Sequence, residues 1–171
     1  MLFNIAKQDK DSKSTSPQFR LYLASMKDVD VEAWPAAVDA TISANVLKAG
    51  KKWNYLDSDV KSINPNAAPG ESPSNGVLTL TPAIEGISKK SLQFVYDNAG
   101  EKMVCVWVRC SDGQKFIGGS PCSDGLQLTY TNIGKLENGN AGIALQLQGS
   151  ECPEPFYFYS GTLEIEADPA E

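Results

Sequence analysis

The feature that most constrains the fold is the run Met103-Val104-Cys105-Val106-Trp107-Val108, in which every residue is apolar. Successive side chains of a strand point to opposite faces of the sheet. A strand that is apolar on both faces therefore has to be covered on two sides. We predict that this run is a central strand and that the rest of the chain is built around it.

Shorter stretches with a period of two predict further strands. In 126–131, for example, Leu126, Leu128 and Tyr130 point one way and the intervening polar residues point the other, which is typical of a half-buried strand. The same kind of pattern predicts strands in 19–24, 51–63, 77–81, 143–148, 156–159 and 163–166. The periodicity of 31–47 fits a helix and a strand equally well and is left open.

One short helix is predicted after residue 88. Ser88 supplies a capping oxygen, and Leu92, Val95, Tyr96 and Ala99 form one apolar stripe at helical spacing. Gly100 lies where a helix exits through a left-handed residue. Together these elements predict one domain spanning 1–171. Its fold class is mainly β, an antiparallel β-sandwich or open barrel with one short helix packed against it.

Three segments lie outside this predicted core. Residues 1–17 begin with the apolar patch Leu2, Phe3 and Ile5 and continue as a polar arm, which is either a frayed terminus or becomes ordered on a neighbouring subunit. Residues 64–76 form a long proline-rich loop, which is either a disordered excursion or an element that orders against a partner. Residues 167–171 are an acidic tail.

Charge and composition exclude several functions. The chain has 171 residues, with 15 basic and 21 acidic side chains and a net charge of −6, so it lacks the basic footprint of proteins that grip nucleic acid. It contains no histidine, which excludes Ser-His and Cys-His catalysis. The acids cluster at turns and at the carboxy terminus, so a buried pair of catalytic carboxylates is not indicated. We predict that the protein is not an enzyme.

No cofactor or metal site is predicted. Gly118-Gly119-Ser120 lacks the lysine and the following helix of a phosphate-binding loop and is better explained as a turn. The four cysteines contain no C-x-x-C pair, so a zinc site is not indicated. We expect Cys105 to be a core residue and all four to be thiols, although Cys110 and Cys122 flank a turn and could come close.

No segment has the apolar length of a signal peptide or of a membrane span, which needs about 18 apolar residues. We therefore expect a protein made in the cytoplasm, with no membrane partner. The aromatic run 156–159 could be a platform for sugar stacking. Alternation would instead bury two of its rings and expose two, which a core and an interface explain more simply.

The order of elements, with an arm, a sheet, a long hairpin, a short helix, a central strand and further antiparallel strands, resembles the tail tube proteins of long-tailed bacteriophages and prophages. Three phrases also look similar to segments of such virion proteins: LTPAIEGIS at 80–88, IGGSPC at 117–122 and PFYFYSGTL at 155–163. The resemblance implies a structural virion protein located in the tail. Its subunits form hexameric rings, and the stacked rings form a conduit through which DNA passes without being held.

On this hypothesis the partners are other copies of the chain and, beyond them, other tail proteins. The candidate interface residues are the arm anchors and the prolines of the long loop: Leu2, Phe3, Ile5, Pro65, Pro69 and Pro73. Glu164 and Glu166 are candidates for facing the lumen, because alternation exposes them and an acidic lining repels phosphate. The alternative function is a non-enzymatic β-sandwich binding module, for example one that binds carbohydrate.

Overall fold

The computed structural model describes residues 1–6, 20–58, 63–109, 111–137 and 139–168. Within these ranges eleven strands belong to one sheet and one α-helix lies against it, which confirms the predicted mainly β class. No helix in these ranges has the length and apolarity needed to cross a membrane. The elements are β1 (Arg20–Ser25), β2 (Thr41–Ile42), β3 (Asn54–Asp57), β4 (Asn66–Pro69), β5 (Gly76–Leu80), β6 (Ala83–Glu85), α1 (Lys89–Asn98), β7 (Lys102–Val108), β8 (Lys115–Gly118), β9 (Leu126–Lys135), β10 (Ala141–Gly149) and β11 (Phe156–Tyr159).

The strand β7 is the centre of the sheet, as its composition predicts. One of its edges pairs with β1 along Met103–Trp107, and β1 in turn pairs with β3. The other edge divides: Cys105–Val108 pairs with β8, and Lys102 and Met103 pair with β9. One branch of the sheet continues from β8 through β11 to β2, and the other continues from β9 through β10 and β5 to β4. Of the pairings between these strands, only that of β11 with β2 is parallel.

Two apolar cores cover the two faces of β7. Met103, Cys105 and Trp107 point into the larger core, which the branch through β9 and β10 closes together with α1. Val104 and Val106 point into a second core, which contains Trp53, Tyr55 and Tyr159. Residues 29–47 cover this second core through Val29, Ile42, Val46 and Leu47. The segment 31–47, whose periodicity fits a helix and a strand equally well, contributes only the two-residue strand β2.

The helix α1 begins where the sequence predicts but buries a different face. Ser88 is the N-cap, its Oγ accepting the N–H of Ser91 at 3.0 Å, and Gly100 has φ +87° just beyond the end of the helix. The predicted stripe is right for Val95, which is buried, and for Leu92, which packs against the larger core, but it is wrong for Tyr96, which is 64% exposed, and for Ala99, which is exposed. The buried stripe consists of Ser91, Phe94, Val95 and Asn98. Polar side chains occupy both of its ends, so hydropathy alone places the centre of the buried face too close to Tyr96 and Ala99.

Three predicted strands differ in detail. Within 51–63 only Asn54–Asp57 is a strand, and 59–62 lie outside the described residues. In β9, Asn132 pairs with Ala144 and Tyr130 with Leu145, so Thr131 is an extra residue and forms a bulge. Because a bulge bends the strand, Tyr130 is 49% exposed although Leu126 and Leu128 are buried. The segment 163–166 makes only an isolated bridge between Ile165 and Trp53.

Candidate assembly and lumen surfaces

The apolar amino-terminal patch packs on its own chain. Ile5 is 3% exposed, and its N–H donates to Tyr55 O at 2.9 Å while its carbonyl accepts the N–H of Asp57 at 2.8 Å. Phe3 stands edge-on to Phe94 of α1 with ring centroids 5.6 Å apart, and Leu2 packs against the same core. In this structure the patch therefore completes the core of its own subunit, which differs from the expected anchoring on a neighbour. Most of the predicted arm, 7–17, lies outside the described residues.

The proline-rich segment 64–76 is not a structureless loop. Asn66–Pro69 forms β4, whose four residues are exposed and pair with β5 at the edge of the sheet. The turn that follows β4 is held against the segment after β10, because the N–H of Glu71 donates to the carboxylate of Glu151. Pro65, Pro69 and Pro73 are all exposed, as an interface role would require, and that role stays a prediction.

Alternate residues of β4 direct their backbone N–H and C=O groups towards β5, and this alternation determines which backbone groups face solvent at the outer edge. The N–H of Gly70 donates to Asn75 O at 3.0 Å, and Pro69 lies opposite Gly76. Bonding alternates along an antiparallel pair, so Asn66 and Ala68 turn their backbone groups towards β5 while Ala67 and Pro69 turn theirs to solvent. Pro69 has no N–H to offer. This edge can form a few backbone hydrogen bonds with another chain, but it resists the addition of a long further strand.

The solvent face of β9 and β10 is polar and uncharged. Gln127 lies directly opposite Gln148, and Thr129 lies opposite Gln146. Gln146 Nε2 donates to Gln148 Oε1 at 3.1 Å, and Thr129 Oγ1 donates to the carbonyl of Gln146 at 3.5 Å. These side chains line an open depression of about 380 Å³. Sequence reasoning noted the alternation that exposes them but did not recognise that the two polar rows form one surface.

Charges at the margin of this polar face are balanced. Lys102 forms an ion pair with Asp124, and both side chains line the same depression. An exposed pair of this kind contributes little to stability. It does, however, cancel the positive charge of Lys102 on this face.

The acidic candidates Glu164 and Glu166 are both exposed, but the alternation expected for 163–166 is absent, because Ile165 between them is 37% exposed as well. Their backbones are held at Trp53, whose N–H donates to Glu164 O at 2.8 Å and whose carbonyl accepts the N–H of Glu166 at 2.8 Å. A position facing a lumen stays a prediction for both.

An aromatic cluster covers the side of β8 and β11 that faces away from the second core. Phe116 lies 4.8 Å from Phe158 and 5.8 Å from Phe156 between ring centroids, and Trp107 stacks on Phe116 at 5.9 Å. Phe156 and Phe158 are each 39% exposed, whereas Tyr159 on the opposite face is 3% exposed. The alternation inferred for 156–159 is therefore present.

A second open depression adjoins this cluster. It has a volume of about 440 Å³ and is lined by Trp34, Pro35, Glu154, Phe156 and Tyr157 together with three alanines. The hydroxyl of Tyr157 donates to the carboxylate of Glu154. Burial, followed by this hydrogen bond, raises the pKa of Tyr157.

The cysteines occupy different environments. Cys105 is fully buried in the larger core, as predicted, and burial raises the pKa of its thiol. Cys122 is exposed and Cys152 is buried, and both are free thiols. Cys110 lies outside the described residues, so the expected approach of Cys110 to Cys122 is not described.

The described residues contain no group of three or more histidine, cysteine, aspartate or glutamate side chains able to hold a metal ion. Comparisons of the chain with family models, with curated proteins and with solved structures found no match. The functional argument consequently depends on the surfaces of the molecule itself.

Proposed function

We propose that the protein is a structural subunit of a phage tail tube, which assembles with copies of itself into stacked rings around a DNA channel. The observation that carries the proposal is the uncharged face of β9 and β10, formed by the opposed pairs Gln127 with Gln148 and Thr129 with Gln146. In this proposal that face lines the channel.

The reason is electrostatic. Proteins hold DNA mainly through lysine and arginine side chains that displace counterions from the phosphates. A conduit has to avoid this, and a wall of amides and hydroxyls offers weak, exchangeable hydrogen bonds without a fixed positive charge. The pairing of Lys102 with Asp124 and the net charge of −6 support the same role.

Two further surfaces are available for contacts between subunits. The edge of β4 with its exposed prolines and the half-exposed rings of Phe156 and Phe158 are two different surfaces, although β5 beside β4 packs against β8 beside β11 at Leu78 and Gly118. Two unlike surfaces on one subunit suit head-to-tail contacts, which close into rings when the rotation is right. Because Ile5 is buried in its own subunit, the proposal assigns the contacts between subunits to the hairpin and the aromatic cluster.

Assembly is tested by electron microscopy of the purified full chain at high concentration, where rings or tubes are expected. A variant in which 71–74 are replaced by a shorter turn keeps the β4 and β5 pairing and should remain a folded monomer. Tubes formed by this variant would show that the hairpin tip has no role in assembly. A wild-type protein that stays monomeric at every concentration would contradict the proposal.

The channel wall is tested by placing positive charge on it. Gln146→Lys with Gln148→Lys should give particles that assemble but release DNA more slowly. Glu164→Gln with Glu166→Gln changes the net charge by the same amount at the acidic candidates and serves as the matched control. Slow release by the control alone would assign the lumen to Glu164 and Glu166, and normal release by both variants would contradict both assignments.

A carbohydrate-binding module is the second candidate, favoured by the depression that contains Trp34, Phe156 and Tyr157. Aromatic side chains with a small number of placed polar groups are the usual lining of small-molecule sites. Glycan-array binding by the wild type that is lost in Trp34→Ala would favour this function, whereas absence of binding together with tube formation would exclude it.

A further inference from the structure

The depression beside the aromatic cluster is built by the segment 34–40 and by β11 with the residues just before it. The N–H of Phe158 donates to Ala40 O at 2.9 Å, and the N–H groups of Val38 and Thr41 each donate to the carbonyl of the other at 3.0 Å. Ala40, which lines the depression, has φ +55°, a left-handed conformation that is costly for alanine. Backbone hydrogen bonds and a tight turn therefore fix one wall of the depression against the other.

Three aromatic rings line the depression, and each is supported by a core or by the aromatic cluster. Trp34 and Tyr157 are half-buried and pack against the second core. Phe156 is 39% exposed, and its ring centroid lies 5.9 Å from that of Trp107 and 5.8 Å from that of Phe116. The rings are therefore in place before any ligand arrives, and part of each remains accessible to solvent.

The surroundings of the depression are acidic. Among the described residues Glu154 is the one charged side chain of its lining, which otherwise consists of three aromatic residues, three alanines and a proline. The lining comes from 29–47 and 136–171, and neither segment contains a lysine or an arginine. Arg109, the cation of the adjoining aromatic cluster, is paired with Asp112. Because the faces of aromatic rings also attract cations, the depression favours a positively charged ligand.

The small number of hydrogen-bond acceptors narrows the kind of cation. A primary ammonium carries three N–H donors and needs an acceptor for each. The side chains of the lining offer the carboxylate of Glu154, which already accepts the hydroxyl of Tyr157, and otherwise present apolar surface. A quaternary ammonium has no N–H group, and its methyl groups can pack on the faces of aromatic rings.

We propose that this depression is a binding site for a quaternary ammonium group, such as the head of choline. The rings of Trp34, Phe156 and Tyr157 contact its methyl groups, and the carboxylate of Glu154 balances its charge. The volume of about 440 Å³ is large enough for this group and for part of the molecule that carries it. The site goes beyond the proposed assembly and does not depend on it, because it is complete within one subunit. It also differs from the second candidate function, in which the ligand is a neutral sugar.

The test is calorimetric titration of the full chain, at a concentration low enough to keep it monomeric. The two probes are choline and its neutral isostere dimethylbutanol, in which a carbon atom replaces the nitrogen. Choline should bind at least about tenfold more tightly than the isostere, because only choline gains the cation–π attraction. Equal affinities, or no binding of choline, would overturn the proposal.

Two variants test the named residues. Glu154→Gln removes the charge at an exposed position and keeps the size of the side chain, so this variant should fold. It should bind choline several-fold more weakly. Trp34→Leu should lose choline binding, and thermal unfolding checks that it still folds. Tyr96→Leu changes an aromatic residue that is 64% exposed on α1 and is the matched control, which should bind choline as the wild type does. Unchanged choline affinity in both Glu154→Gln and Trp34→Leu would contradict the site.

Further probes identify the source of the ammonium group. Sedimentation of the protein with phosphatidylcholine vesicles, reversed by free choline, would assign the group to a lipid, whereas binding of free choline alone would assign it to a soluble molecule. Glucose is the neutral comparison. A protein that binds glucose through Trp34 and does not bind choline would favour the carbohydrate candidate and overturn the present proposal.

Discussion

Asn4 Oδ1 accepts a hydrogen bond of 2.9 Å from the backbone N–H of Tyr55, although the two residues are far apart in sequence. Asn4 Nδ2 donates to Glu166 O and to Asp168 Oδ1, each at 2.9 Å. One side chain, 2% exposed, thus ties both ends of the described chain to β3.

Asn4→Ala should destabilise the protein by about 2 kcal/mol, because it leaves the buried N–H of Tyr55 unpaired. Denaturant unfolding followed by tryptophan fluorescence measures the change. Asn66→Ala, at an exposed position of β4, is the control and should stay within about 0.5 kcal/mol of the wild type. Equal stability of the two variants would mean that the hydrogen bonds of Asn4 make no net contribution to stability.

Gly118→Ala should destabilise the fold through overpacking. A Cβ at this position would lie 2.3 Å from Leu78 Cδ2, and forcing extra volume into a packed core costs about 1–3 kcal/mol. In a double-mutant cycle, Leu78→Ala should relieve the overlap, so the double variant should be more stable than the sum of the single changes implies. Strict additivity would show that β5 and β8 do not pack together here.

The orientation of α1 is tested by two aromatic residues two positions apart. Phe94 is fully buried and Tyr96 is 64% exposed. Phe94→Ala should cost about 3–5 kcal/mol, whereas Tyr96→Ala should change the free energy of unfolding by less than about 0.5 kcal/mol. Thermal or denaturant unfolding measures both. The reverse order would restore the stripe that hydropathy predicts.

Alkaline pH should destabilise the second core through Tyr159. Burial raises the pKa of Tyr159 to about 12, whereas the unfolded chain releases this proton near pH ~10. The folded state then holds the proton over an interval in which the unfolded state has lost it. The contribution of Tyr159 is complete below pH ~10 and is lost as the pH rises towards about 12.

Tyr159→Phe removes this ionisation and keeps the ring, so its stability should fall less steeply over that interval, by up to about 1.4 kcal/mol per pH unit. Urea unfolding at several pH values compares the two proteins. Parallel slopes would show that the phenol of Tyr159 is not held neutral by the fold.

Sequence patterns predicted the structure correctly where they depend only on residues that are close together along the chain. The run 103–108 predicted a strand covered on both sides, and Ser88 predicted the start of α1, because a cap and an alternation are local properties. The loop prediction for 64–76 failed within β4, whose residues are all exposed, since partners supplied by β5 decide whether such a segment is a strand.

The sequence by itself determined the mainly β class, the central strand and the absence of histidine chemistry, since these follow from composition and from the two-residue period of a strand. Only the tertiary structure decided that Leu2, Phe3 and Ile5 complete their own core and that the polar rows of β9 and β10 form one face. These are relations between residues distant along the chain, and they depend on strand order and register, which local periodicity does not encode.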